Sequence, residues 1–204
     1  MTDPRILIVG AGPAGIRAAE TLALAGLRPL VVDEGARAGG QIYRRPPPGF
    51  TRPPEMLYGP EAGKARALHA VFDELVETGR IEHLAQSSVL GFSAAGAHVA
   101  TPTGQRILPH DRLIIATGAT DRLAPVPGWQ APGVYSLGAA QIALKAQGVA
   151  LGQQIVLAGS GPLLTLVAYQ LLKAGARVEA VLDTAPLTTQ VAALPGMLTR
   201  PVFA

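Results

Sequence analysis

Ten residues near the amino terminus restrict the fold more than any other stretch: Ile6-Leu7-Ile8-Val9-Gly10-Ala11-Gly12-Pro13-Ala14-Gly15. Four apolar residues of buried-strand type run into a glycine-rich turn, and a helical pattern begins at Pro13. This is the pattern of a dinucleotide-binding β-α-β unit, and each glycine in it has a physical reason. Gly10 suits a tight turn, Gly12 lets the backbone approach a pyrophosphate, and Gly15 lets helix and strand pack closely. The unpaired N–H groups and the positive dipole end of the helix then face the phosphates. Such a unit calls for a carboxylate about twenty positions on. Glu34 supplies it, just after the apolar run Pro29-Leu30-Val31-Val32. It would accept hydrogen bonds from a ribose 2′-hydroxyl and repel a 2′-phosphate.

The chain in order predicts a helix from Pro13 to Ala25, stopped by Gly26, and a loop from Gly35 closed by Gly39-Gly40. Prolines at 46, 47, 48, 53, 54 and 60 then argue against regular structure. Two readings of this segment stand: a surface excursion, or a loop laid against a cofactor with Tyr43, Arg44 and Phe50 as contacts. A second helix is predicted over Glu61–Gly79, with Ala65, Leu68, Phe72, Leu75 and Val76 on one face. Short alternating bursts around Ser88–Phe92, His98–Thr101 and Gln105–Leu108 predict an antiparallel meander. Leu113-Ile114-Ile115-Ala116-Thr117-Gly118 reads as a buried strand ending in a small-residue turn. Prolines 125, 127 and 132 mark a linker, which puts a domain boundary at 122/123.

The opening pattern occurs twice. Gln154-Ile155-Val156-Leu157-Ala158-Gly159-Ser160-Gly161-Pro162 repeats it, and Gly10, Pro13, Gly26 and Glu34 map onto Gly159, Pro162, Gly175 and Asp183, each 149 residues later. The copies differ at the third glycine position, where Leu164 stands in place of Gly15. A leucine there crowds the phosphate approach, so Gly159, Gly161 and Asp183 form a second nucleotide site that is expected to be weakened or lost. Asp183 would favour NAD over NADP in it.

Bulk properties exclude several classes. The chain has no cysteine, which removes disulfides, thiolate metal ligands and thiol catalysis from its repertoire. The net charge of +3 is modest and the basic residues are scattered, unlike a nucleic-acid stripe. Ala146 to Leu172 carries no charge and is long enough to span a bilayer, but Gly159-Ser160-Gly161-Pro162 interrupts it, and strand-then-helix explains it better. Histidines 69, 83, 98 and 110 lack metal-ligand spacing and read as structural or solvated. No metal site is expected, and no residue stands out as a general acid or base. The strand-like amino terminus is not a secretory signal, which predicts a cytoplasmic protein.

Gly10–Gly15, Glu34, Gly39-Gly40, Ala116-Thr117-Gly118 and Gly159–Pro162 together resemble the two-dinucleotide-binding-domain flavoproteins of the pyridine nucleotide–disulfide oxidoreductase superfamily. The resemblance implies an α/β fold: an FAD/NAD(P)-binding Rossmann-like domain with a β-meander over 1–122, lacking its carboxyl-terminal return segment, and a partial second Rossmann-like domain of NAD(P)-binding type over 123–204. It implies FAD held by Gly10, Gly12, Pro13, Ala14, Gly15, Glu34, Gly40, Gln41, Val89, Ala116, Thr117 and Gly118. Gly39-Gly40-Gln41-Ile42-Tyr43-Arg44, the proline-rich loop and Gly161-Pro162-Leu163-Leu164 resemble a narrower group, the flavoprotein subunits of hydrogen cyanide synthase, opine oxidase and hydroxyproline dehydrogenase. That group implies an electron-handling subunit of a heteromeric amine or imino-acid dehydrogenase. Its partners would be a second flavoprotein subunit plus, in some members, a small iron–sulfur subunit. The alternatives are an NADH-dependent flavin reductase and a catalytically inactive assembly subunit. Two departures from the wider family are the missing redox cysteines and the missing return to the first domain, so the chain reads as an amino-terminal fragment.

Overall fold

The computed structural model describes residues 4–186 together with Thr188, Val191 and Ala192; the terminal run Arg200–Ala204 lies outside them. The chain divides into two compact units, Met1–Ala124 with Lys145–Gly148, and Pro125–Leu144 with Val149–Ala204.

The first unit is built on a parallel sheet. Its strands are β1 (Ile6–Val9), β2 (Leu30–Val32), β3 (Glu82–Leu84) and β7 (Arg112–Ile115), in the order β3-β2-β1-β7. β1 lies in the middle, Leu7 opposite Leu30 on one side and Leu113 on the other. Its alternate side chains therefore enter two separate cores. Ile8 joins helices α1 (Pro13–Leu24) and α3 (Ala62–Glu77) through Ile16, Ala19, Leu68 and Phe72. Leu7 and Val32 face the other way, onto Ala97, Val99 and Leu108 of an antiparallel meander, β4 (Ser88–Ser93), β5 (Gly96–Thr101) and β6 (Gly104–Leu108). The unit thus has three layers: helices, parallel sheet, meander. A strand buried on both faces must be apolar throughout, which explains the unbroken Ile-Leu-Ile-Val run.

The predicted helices α1 and α3 and the meander are present, with differences that have plain causes. The proline-rich segment holds a short helix, α2 (Pro54–Tyr58), followed by a 3₁₀ turn at Gly59–Glu61. Proline is tolerated in a first helical turn, where its missing N–H has no intrahelical partner. β3 lacks a legible pattern, at three residues with Glu82 exposed. Val76 lies at the margin of the buried face of α3, 37 % exposed. β7 is not the buried strand its composition predicts: it pairs with β1 alone, and Ile115 is 67 % exposed.

In the second unit, β8 (Gln154–Gly159), α5 (Pro162–Lys173) and β9 (Arg177–Asp183) form a β-α-β unit with a parallel pair. Leu157, Leu164, Val167 and Leu171 make its core, with Leu144 from α4 (Leu137–Ala146), a helix the proline-rich linker did not suggest. The apolar stretch 146–172 is therefore strand, turn and helix. Among the described residues no helix is long and apolar enough to cross a membrane.

The histidines have structural surroundings. His69 faces the Tyr43 carbonyl from α3, Nε2 to O 2.8 Å. His83, on β3, stands edge-on to Phe72 with ring centroids 4.9 Å apart. Its Nε2 is buried without a hydrogen-bond partner. His98 meets Ser93 Oγ, and His110 meets the Leu108 carbonyl. Burial holds the pKa values of His69 and His83 below the ordinary imidazole value. A group whose folded pKa is depressed below about 6.5 binds its proton more readily when unfolded, so its contribution is complete above that pH and is lost as pH falls. The thermal midpoint of the first unit should therefore drop between pH 7 and pH 5, and His83→Leu should flatten the slope. A midpoint equally pH-dependent in His83→Leu and the parent would contradict this for His83.

Candidate functional site

The glycine-rich turn between β1 and α1 owes its shape to crowding. Gly10 has φ +104°, and a Cβ on it would collide with the Ala116 carbonyl at the end of β7. A Cβ on Gly15 would overlap the Gly10 carbonyl. These two positions are closed to any side chain, so strand, turn, helix and the β7 end can pack backbone to backbone. Gly12 differs: its φ is −75° and an added Cβ would meet only the Gly40 Cα, at 3.8 Å. The space above Gly12 is open. Behind it stand the first-turn N–H groups of α1, which have no intrahelical partner.

Asp33 organises this turn, and the sequence reading missed it. One carboxylate oxygen accepts from the Ala11 N–H at 2.5 Å and the other from the Gly35 N–H at 2.7 Å. The Asp33 carbonyl in turn accepts from the Ser87 N–H, and the Gly35 carbonyl from the Gln86 N–H. The strand-end loop is thus strapped to the start of β4. The neighbouring Glu34 is exposed and reaches the cleft. Of two adjacent acids, one braces the turn and the other is left exposed at the cleft.

A cleft of about 750 Å³ opens over the turn, within the size range of small-molecule and cofactor pockets. It is lined by Gly10, Gly12, Pro13, Ala14, Glu34, Gly40, Gln41, Val89, Ala116, Thr117 and Gly118, which are all the predicted site residues of the first unit except Gly15. Gly15 lies beneath, as its packing requires. The sequence reading did not include Asp33, Arg37, Ser87 and Ser88 among the lining residues. Gln41 donates from Nε2 to the Ala119 carbonyl at 3.1 Å, joining the Gly39-Gly40 loop to the loop after β7. The three residues considered for loop contacts part company. Arg44 lines the cleft, while the buried Tyr43 donates its hydroxyl to Glu61 at 2.8 Å. Phe50 stands away from the lining, with Arg52 over its ring.

The second copy departs from the first in two ways. Leu164 is 2 % exposed and fills the core where Gly15 allows close packing. Gly161, the counterpart of Gly12, has φ +94°. The pairing of β8 with β9 also slips by one residue, between Ile155↔Val178 and Val156↔Ala180. Ala158 therefore faces Leu182 where Val9 faces Val32, and Asp183 occupies the place of Asp33 rather than Glu34. Its side chain behaves accordingly, accepting from the Ala185 N–H at 2.8 Å as Asp33 accepts from Gly35. The constant sequence offset hid this slip. Thr184 stands at the Glu34 position and donates to the Gly159 carbonyl. Among the described residues no cluster of His, Asp or Glu is placed to hold a metal ion.

Comparison with known proteins shows the family and the fold. The model of the pyridine nucleotide-disulphide oxidoreductase family matches residues 4–193. The chain belongs to that family. It is 42 % identical over 207 aligned residues to an opine oxidase subunit of Rhizobium meliloti, covering 94 % of this chain and 37 % of that protein. It is 35 % identical to hydrogen cyanide synthase subunit HcnB of Pseudomonas protegens, covering 96 % of this chain and 41 % of the relative. The chain thus spans about two fifths of the length of these relatives. Among solved structures, L-proline dehydrogenase from P. horikoshii superposes with a TM-score of 0.65 at 23 % identity, over 89 % of this chain and 36 % of that one. That likeness shows the shared FAD/NAD(P)-binding Rossmann-like fold.

The packing makes a prediction about the two glycines. Gly15→Ala should cost about 1–3 kcal/mol in urea unfolding, the scale of overpacking. Gly12→Ala should cost under about 1 kcal/mol, as for a changed cap residue. The reverse order of the two midpoints would contradict the assigned packing.

Proposed function

We propose that the first unit binds FAD and that the chain is the amino-terminal part of an electron-handling flavoprotein subunit of a heteromeric amine or imino-acid dehydrogenase or oxidase. The observation that carries the reading is the open cradle over Gly12, set between two glycines closed by packing and leading to an exposed carboxylate. In this reading Glu34 accepts hydrogen bonds from the adenosine ribose, and the first-turn N–H groups after Gly12 meet the pyrophosphate. Gly40, Gln41 and Thr117 would lie near the flavin, while Val89 follows the Gln86-Ser87 segment that is tied to the loop carrying Glu34. The bound flavin supplies the redox chemistry, and these residues supply placement and the exclusion of water. Similarity to proteins named as subunits of opine oxidase and of hydrogen cyanide synthase supports a partner. We assign it as a second flavoprotein subunit that handles a small amine or imino acid, with a small iron–sulfur subunit in some assemblies. We place the protein in the cytoplasm.

Domain 1–122 is then the FAD-binding part and 123–204 a partial domain of NAD(P)-binding type. Leu164, the turn at Gly161 and the threonine at the Glu34 position favour a second copy that keeps the fold and binds NAD weakly or not at all. This weighs against an NADH-dependent flavin reductase. An inactive assembly subunit is the reading to which failure to bind flavin would lead.

Purified protein should carry flavin absorbance, and Glu34→Ala should weaken FAD binding by about 1.5–3 kcal/mol, the scale of hydrogen bonds to a charged group, with no loss of thermal stability. Gly12→Val should abolish flavin retention while Gly161→Val preserves it, because a side chain at Gly12 fills the pyrophosphate cradle. The opposite pattern would assign the cofactor to the second copy.

A further inference from the structure

Beside the cleft, on the side of α3, lies a polar network that none of the proposed cofactor contacts uses. At its centre is Arg45, whose side chain is only 7 % exposed. Its two terminal nitrogens donate to both oxygens of Asp73, at 2.8 and 2.9 Å. Its Nε donates to the Ala38 carbonyl at 3.0 Å, and a terminal nitrogen also reaches the His69 carbonyl at 3.2 Å. Ala38 immediately precedes Gly39-Gly40, and Asp73 and His69 belong to α3. The guanidinium therefore joins the root of the glycine loop to the helix. His69 adds a second tie, its Nε2 facing the Tyr43 carbonyl. Because that oxygen can only accept, Nε2 carries the proton.

The loop held this way has almost no freedom. The Gly39 N–H donates to the Ala11 carbonyl at 2.8 Å, inside the fingerprint turn. A Cβ on Gly39 would strike the Tyr43 carbonyl and sit 3.0 Å from His69 Nε2. A Cβ on Gly40 would lie 2.8 Å from the Gly12 Cα. The cradle over Gly12 thus has one wall made by Gly40, and that wall is set by contacts running back to Arg45. A planar group with five N–H donors can bind a carboxylate with two nitrogens and still reach two carbonyls. A lysine ammonium, with three donors around one point, cannot cover that span.

We propose that Arg45 is a positioning residue for the cofactor cleft: through Ala38 and α3 it holds the Gly39–Gln41 loop at the distance from Gly12 that a dinucleotide requires. The role rests on the reading of the cleft as an FAD site, and it makes a claim about the loop that can be measured without FAD. The same contacts could serve stability alone. The two roles differ in what they do to ligands of different length. ADP ends at the pyrophosphate and meets the loop only where Gly40 faces Gly12, whereas FAD runs on along Gly40 and Gln41 and so depends more on the loop's position.

The test compares the full chain with its Arg45→Met, Arg45→Lys and Asp73→Asn variants. It reads FAD and ADP affinities by titration, the thermal midpoint, and amide hydrogen exchange of residues 38–45 against residues 62–77. Both Arg45 variants should weaken FAD about tenfold, the scale of a small misplacement in a positioned site, while ADP changes by less than about threefold. Exchange should rise in 38–45 and stay slow in 62–77, and Asp73→Asn should move FAD affinity and exchange in the same direction by less. FAD and ADP weakening equally, in step with the thermal midpoint, would reduce Arg45 to a structural residue and overturn the proposal, as would full rescue by Arg45→Lys. If the parent protein binds neither nucleotide, the FAD reading falls. The exchange data then decide: unchanged protection of 38–45 in Arg45→Met overturns the role, and selective loss of it sustains the role.

Discussion

The close approach of Gly10, Gly15 and Ala116 is the constraint on which the first unit depends. Three backbone segments meet where no Cβ fits, so the end of β1, the start of α1 and the end of β7 share one point. Hydrophobic burial around that point is generous. Ile8 and Ile16 are fully buried on the helix side, and Leu7 and Val32 nearly so on the meander side. Burial drives the layers together without direction. Absent side chains decide how near they come and therefore where the N–H groups of α1 point. Polar straps then fix the loops around the turn: Asp33 on one flank, Gln41 on another, Arg45 behind.

The two copies of the β-α-β unit show what happens when that constraint is released. With Leu164 in the third glycine position, apolar packing replaces backbone contact, and the helix gains a buried side chain that contributes to its core. The turn takes a different path at Gly161, and a one-residue slip in the strand pair carries Asp183 into a bracing role. Of these changes only Leu164 adds buried contact; the space beside Gly161 is left open. The comparison shows how one chain can hold two units of the same pattern with different turns, φ −75° at Gly12 and +94° at Gly161.

Much of this was legible in the sequence because the relevant signals are local. The strand, turn and helix of each copy follow from apolar runs and glycine spacing. The lining residues Gly40, Gln41, Thr117 and Gly118 followed from the family resemblance and meet at one cleft. What was not legible depends on distant partners. β3 has three residues and no alternation, and it exists because β2 offers an edge and α3 delivers the chain to it. The exposure of Ile115 follows from the place of β7 at a sheet margin, which composition does not encode. Nothing in the local pattern singles out Asp33, whose task depends on the Ala11 N–H 22 residues away. Arg45 carries no local signal either, because its carboxylate partner Asp73 stands 28 residues away on α3.

The central claim is that the chain has one dinucleotide cradle and that it lies over Gly12. The most direct measurement is a backbone amide shift map by nuclear magnetic resonance as FAD is added to the labelled protein. The account predicts the largest shifts at Gly10, Gly12, Ala14, Glu34, Gly40 and Thr117, saturating together, with Gly159, Gly161 and Leu164 unmoved. Shifts centred on Gly159–Leu164 and Thr184, with the first turn silent, would contradict it.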